Sequence, residues 1–212
     1  LRTPLTGIKW SLSIFVNDSL GKLNQDQHQL AQKTLQQCDN LIILVEDLLS
    51  VSKIQQGGMK YDMSQVDLHQ LVKSVVLEMR PLAERKNLPI KIDMKNDVTY
   101  VVNGDVTKLR QVIVNLIDNA IKYTEKGSIE LRFKLVDGGK IQLLIKDTGT
   151  GIASGTKLFS KFSRGFDSGQ HSGSGIGLYL AHKIISAHGG QVSAESKGEH
   201  TGSTFIVELP LT

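Results

Sequence analysis

The chain has 212 residues, 40% hydrophobic, 22% charged and 5% aromatic, with a formal net charge of +4. This composition excludes a disordered chain, gives no sign of a fibre, and leaves room for one or two domains with a real core. The basic residues are dispersed, which argues against nucleic acid as a partner; Cys38 stands alone, without zinc-type Cys/His spacing, and no apolar run is long enough to span a membrane.

Leu5, Ile8, Leu12 and Phe15 recur at three- and four-residue spacing, the mark of an amphipathic helix. The first residue already lies inside this pattern. The chain is therefore expected to be part of a longer, cytoplasmic region, with any membrane attachment made by segments outside it. Gly21 and Asn24 mark a turn, and a second helix is predicted from about Gln25 to Ile54. Its seam, Ala31, Leu35, Cys38, Ile42, Val45 and Leu49, alternates by four and three, and Leu41, Leu44, Leu48 and Val51 form a second row beside it. Two rows make a face wider than one short helix covers. The hairpin is therefore predicted to form a homodimer, a four-helix bundle, with packing on the rest of the same chain as the alternative.

Gln55-Gln56-Gly57-Gly58 reads as a linker between a hairpin, 1–56, and a second domain, 57–212. Leu68, Leu71, Val75, Met79 and Leu82 define a third helix, and Pro89 to Met94 a strand. Asp105 can cap a helix running to about Tyr123, with Leu109, Val112, Ile113, Leu116, Ile117 and Ala120 on its apolar side. Alternation then predicts strands over Ile129–Leu135 and Ile141–Ile145. A Gly-rich stretch leads to a helix from about Gly177 to His188, and strands near Gln191–Ser196 and Thr204–Leu209 close the chain. The predicted fold class is α+β: the dimeric helical hairpin, then an α/β sandwich with a mixed sheet and helices on one face.

Four boxes in the second domain carry chemistry. Asn115, Asn119 and Lys122 fall on one helix face, opposite the apolar side, and two carboxamides and an amine suit Mg²⁺ and phosphate oxygens; alone, they are also what a solvated helix face contains. Asp147 continues the inward row Ile141, Leu143, Ile145, so its charge needs either a ligand donor or the N–H groups of its own turn. Gly149 and Gly151 permit close approach of backbone to a flat ring. Gly173, Gly175 and Gly177 precede a helix start, where amides and the dipole favour anions; the spacing is neither the dinucleotide fingerprint nor a P-loop. Phe159, Phe162 and Phe166 are spaced like latches of a lid, with Lys161 and Arg164 between them in reach of a terminal phosphate. Gly202-Ser203-Thr204-Phe205 is the fourth box.

These motifs resemble the sensor histidine kinases of two-component signalling. The four boxes are similar to that family's N box, its two glycine boxes and its final Gly-Thr-type box. Leu158-Phe159-Ser160-Lys161-Phe162 resembles its phenylalanine box, and Leu1-Arg2-Thr3-Pro4-Leu5 the segment directly after the phosphorylated histidine. The resemblance covers essentially the whole chain and implies ATP and Mg²⁺. Asn119 would ligate the metal, Asn115 would lie beside the phosphates, Lys122 would touch phosphate and Tyr123 would flank the nucleotide. Asp147 would bind the adenine amine, with Gly149, Gly151 and Ile152 around the base. Gly173, Ser174, Gly175, Gly177 and Leu178 would line the phosphate site next to the lid. Thr204 would sit near the adenine-binding water, and Thr3 would orient water for dephosphorylating a response-regulator receiver domain, the implied partner.

Two departures stand out. The acceptor histidine and its following acid would lie just before Leu1, and none of His28, His69, His171, His182, His188 and His200 has the right flanks. The stretch Ala153–Lys157 is shorter than usual in the family. The predicted function is the catalytic core of an ATP-dependent protein-histidine kinase. A hydrolytic ATPase of the gyrase type would need a glutamate base one turn before Asn119, where Asn115 stands. A non-catalytic nucleotide-binding dimerisation module is the other alternative.

Overall fold

The computed structural model describes residues 2–19, 21–93, 99–161 and 175–212. Phe162, Arg164, Phe166, Gly173 and Ser174, singled out above, lie outside the described residues. The chain divides into two compact units, Leu1–Met59 and Lys60–Thr212.

The first unit holds α1 (Arg2–Val16) and α2 (Gln25–Gln55). A capping box starts α2: Asn24 Oδ1 accepts the Gln27 N–H at 2.9 Å, and Gln27 Oε1 accepts the Asn24 N–H at 3.1 Å. The helices meet at Cys38, whose thiol donates to the Leu5 carbonyl at 3.4 Å, and at a Lys9–Asp39 ion pair of 2.8 Å. Only Cys38 and Val51 of α2 are fully buried. Ile8, Trp10, Phe15, Leu30, Leu41, Ile43, Leu48 and Leu49 remain exposed.

The second unit runs β1 (Ser64–Asp67), α3 (Leu68–Glu84), β2 (Ile90–Asp93), β3 (Val101–Gly104), α4 (Val106–Tyr123), β4 (Ile129–Val136), β5 (Lys140–Asp147), α5 (Gly177–Ala187), β6 (Gln191–Glu195) and β7 (Thr204–Pro210). Five strands form one sheet in the order β2-β4-β5-β7-β6; β2 is parallel to β4 and the other pairs are antiparallel. The sheet is therefore mixed, and the fold class is the predicted α+β. Period-two alternation explains the layering. Ile129, Leu131, Ile141, Leu143, Ile145, Phe205, Val207 and Leu209 join the core with Val72, Val75, Leu116, Ile117, Ile184 and Ile185 of the helices. Arg132, Lys134, Lys140 and Lys146, at the intervening positions, are exposed. Asp67 caps α3 and Asp105 caps α4, each accepting two N–H groups of the first turn.

Two features escaped the sequence reading. β1 and β3 pair antiparallel, with Val66 opposite Val102, in a two-stranded sheet of their own. Ser64-Gln65-Val66-Asp67 and Val101-Val102-Asn103-Gly104 carry no apolar alternation, so neither strand stands out from a linker. Leu82, placed on the apolar row of α3, is 40% exposed, while its neighbour Ala83 is fully buried. No helix among the described residues is long and apolar enough to cross a membrane.

Candidate functional site

Asp147 ends β5 and is 3% exposed. Its Oδ1 accepts the Gly149 N–H at 2.8 Å and the Ser203 N–H at 3.2 Å, and its Oδ2 accepts the Ser203 hydroxyl at 2.5 Å. Of the two environments open to this carboxylate, the protein builds the one bonded to its own turn and adds a hydroxyl from β7's entry. A carboxylate has about four acceptor positions, so Oδ2 keeps one for a further donor. Sequence reasoning singled out Thr204 and passed over Ser203. The strand pleat was the available signal: Phe205 faces the core, so Ser203 faces inward and Thr204, only partly buried, faces away.

The glycines around Asp147 serve backbone packing. A Cβ on Gly149 would strike the Tyr123 carbonyl, one on Gly151 the Gly198 carbonyl, and one on Gly202 the Asp147 carbonyl. The Thr150 N–H donates to Tyr123 O at 3.0 Å, and the His200 N–H to Thr150 O at 2.6 Å. Ser196 Oγ accepts the Ile152 N–H at 3.1 Å and donates to Gly202 O at 2.7 Å. The 147–152 turn is thus stitched to the end of α4 on one side and to the β6–β7 loop on the other.

The polar face of α4 meets the start of α5. A Cβ on Gly177 would overlap the Asn115 carboxamide, whose buried Nδ2 makes no hydrogen bond among the described residues. Asn119 and Lys122 follow on the same face, both partly buried, and Lys122 Nζ lies 4.9 Å from the centre of the Tyr123 ring. The α5 terminus differs from those of α2, α3 and α4, which have Asn or Asp caps. Its N-cap is Ile176, which offers no side-chain cap, and its first turn has no acid. First-turn amides with no side-chain acceptor among the described residues favour an anion. Gly175, just ahead, has φ +67, a region in which L side chains are strained. Leu178 packs against the core from the first turn.

Other predicted residues fall further out. Lys161 Nζ lies 5.3 Å from the Tyr179 ring centre, and the Phe159 ring 6.0 Å from His182. Arg164, Gly173 and Ser174 lie outside the described residues. Thr3 is exposed on α1, in the other unit. Among the described residues, no three His, Cys, Asp or Glu side chains gather as a metal site. On the Asn115–Asn119 face, α4 offers a hard cation carboxamide oxygens.

The family model for histidine kinase-, DNA gyrase B- and HSP90-like ATPases matches residues 104–212, and that for the His Kinase A (phospho-acceptor) domain matches residues 1–57. The chain belongs to the sensor histidine kinase family. This histidine kinase core is 30% identical to the sensory/regulatory protein RpfC of Xanthomonas campestris pv. campestris over 99% of its own length and 30% of the relative's. It is 32% identical to the sensor histidine kinase RcsC of Escherichia coli, over all of this chain and 22% of the relative. The kinase chain thus spans less than a third of the curated relatives it matches. Full-length ShkA, solved in complex with AMPPNP, superposes on the whole chain with a TM-score of 0.81 at 28% identity, using 44% of that protein. The Acinetobacter baumannii histidine kinase AdeS gives 0.71 at 26% identity, with 100% of this chain and 97% of that one covered.

Proposed function

We propose that this chain binds Mg-ATP and transfers the γ-phosphoryl group to a histidine imidazole, and from there to an aspartate of a response-regulator receiver domain. The observation that carries the reading is the Asn115 carboxamide against Gly177, where an unbonded buried Nδ2 meets a helix start with no side-chain cap. A buried amide donor beside a helix start favours an anion. Membership of the ATPase family and the AMPPNP-bound relative support a nucleotide polyphosphate as that anion.

In this reading Asp147 accepts the adenine amine at its remaining Oδ2 position, and Ser203 holds the carboxylate in the required rotamer. Gly175, Gly177 and the amides of α5 receive phosphate oxygens, and Lys122 adds a positive charge. Asn119 would hold Mg²⁺ through its carboxamide oxygen, as suits a cation that takes few protein ligands; when bound, the ion offsets charge on the β and γ phosphates. An imidazole nitrogen attacks the γ phosphorus in line. The bridging P–O bond to the β phosphate breaks, its electron pair leaves with ADP, and the imidazole proton passes to solvent. Asn115 cannot take a proton from water, which favours transfer over hydrolysis. Residues 1–56 are assigned as the dimerisation and histidine-phosphotransfer hairpin and 57–212 as the ATP-binding domain. The exposed apolar rows of α2 fit a second copy of the hairpin.

The test is full-length protein incubated with γ-labelled ATP. Acid-labile label on the protein is expected. Asn119→Ala should remove both labelling and magnesium-dependent binding, and Asp147→Asn should weaken ATP about tenfold or more by loss of a charge-assisted bond. Tight Mg-ATP binding with no label would instead favour the non-catalytic module, and fast steady phosphate release the hydrolase.

A further inference from the structure

His188 closes α5 and is 4% exposed. The Asp105 N–H donates to its Nε2 at 2.9 Å. A backbone amide only donates, so Nε2 is the acceptor and the ring proton sits on Nδ1, which donates to the Ile184 carbonyl at 2.7 Å. Both ring nitrogens are therefore used, one on each helix. Gly104 makes the approach possible: a Cβ there would stand 2.9 Å from His188 Cδ2 and 2.6 Å from Leu109 Cδ1. Tyr61 meets the ring edge-on at 5.4 Å, and the Asp62 N–H donates to Asp105 Oδ2 at 3.1 Å. The start of α4, the end of α5 and the segment ahead of β1 are thus gathered on one imidazole.

The far end of the same helix pair carries the Asn115–Gly177 contact. The end of α5 touches the start of α4 and its beginning touches the middle of α4, so the two helices run antiparallel. Asn115 lies about 15 Å along α4 from Asp105, and Gly177 about 16 Å back along α5 from His188, at 1.5 Å per residue. Leu109 and Val112 on α4, and Leu180, Ala181 and Ile184 on α5, lie in the turns between these two points and are all buried and apolar. Apolar contacts have no preferred direction, so they define axial position less sharply than a hydrogen bond, which weakens steeply as its geometry departs from the ideal. Slippage matters at Gly177, since neither neighbouring residue could stand against Asn115 without overlap.

We propose that His188 is a positioning residue for the nucleotide site: its bond to the Asp105 amide sets the axial register of α5 on α4, and so the fit of Gly177 against Asn115. For its effect on binding this rests on the nucleotide reading above; the register itself does not. His188 touches no substrate in this scheme. It acts through the helix whose first turn receives phosphate.

The test compares two variants of the chain by amide NMR without nucleotide and by Mg-ADP calorimetry. His188→Phe keeps the ring volume and the contact with Tyr61 but leaves the Asp105 amide without an acceptor. His188→Gln restores an acceptor at the same reach. The Phe variant is expected to move the Gly177 amide and Asn115 side-chain resonances and to weaken ADP about tenfold, and the Gln variant to recover both. If changes in the Phe variant stay within the neighbourhood of Asp105 and His188 and ADP affinity holds, the proposal is overturned, because a merely local structural role predicts that result. If the Phe variant does not fold, Gly104→Ala, which displaces the intact ring, is read the same way. Wild-type chain that takes no ADP would sink the nucleotide reading instead, and the resonances alone would still decide the register.

Discussion

In the unit Lys60–Thr212, Leu116, Ile117, Ile129, Leu131, Ile145 and Ile185 have no exposed surface, whereas in Leu1–Met59 Trp10 is 68% exposed, Leu30 67% and Ile43 57%. The difference lies in what each architecture can cover. A sheet with three helices on one face closes over its own apolar side. Two helices do not close over two apolar rows on the longer one. The sandwich covers its own core, whereas the hairpin leaves its apolar rows uncovered.

That contrast can be broken by mutation. The largest effect is expected for Leu131→Ala, which should cost the second unit about 2–5 kcal/mol through a cavity in a close-packed core. Nucleotide-independent melting by circular dichroism would show it. Trp10, the single tryptophan, reports the hairpin alone, and its fluorescence transition should not move. Leu48→Ala in the hairpin is the sharper test. In a self-sufficient hairpin an exposed leucine is worth a few tenths of a kcal/mol; in a dimer seam it should cost about 1–2 kcal/mol and make melting concentration-dependent. A monomer in sedimentation, with Leu48→Ala silent, would end the interface reading.

The smallest effect concerns pH. Burial pushes the Asp105 carboxyl up, but N–H donors from Asp62, Lys108 and Thr107, together with the Lys108 charge, outweigh it and hold the group below the usual carboxylate range. A carboxyl lowered by folding stabilises the protein above its unfolded value and loses that contribution as pH falls through the folded one. Acid should therefore weaken the second unit through this cap. Asp105→Asn, which keeps an acceptor but cannot ionise, should cost about 1 kcal/mol or less at neutral pH and flatten that part of the acid slope. An unchanged slope in thermal melts from neutral to acid pH would show that Asp105 does not drive it.

The elements visible in the sequence are those with long repeats. α2 and α4 repeat their apolar residues over several turns, β4 and β5 alternate over eight residues each, and Asp105 announces its helix by type and place. The chemical boxes were legible for the same local reason, because an asparagine face, a lone inward aspartate and a glycine run each show within a few positions. β1 and β3 did not show, since neither alternates on its own and each is meaningful only beside the other. Ser203 and His188 did not show either. Ser203 matters because β7 enters beside the turn that ends β5, and His188 because Asp105, 83 residues away in sequence, lies against it. Periodicity and residue type fixed which segments are helix or strand and which polar groups stand ready. Only tertiary folding decided what each glycine faces and which polar atoms meet, because hydrogen bonds and steric fit depend on distances between segments that a linear pattern does not contain.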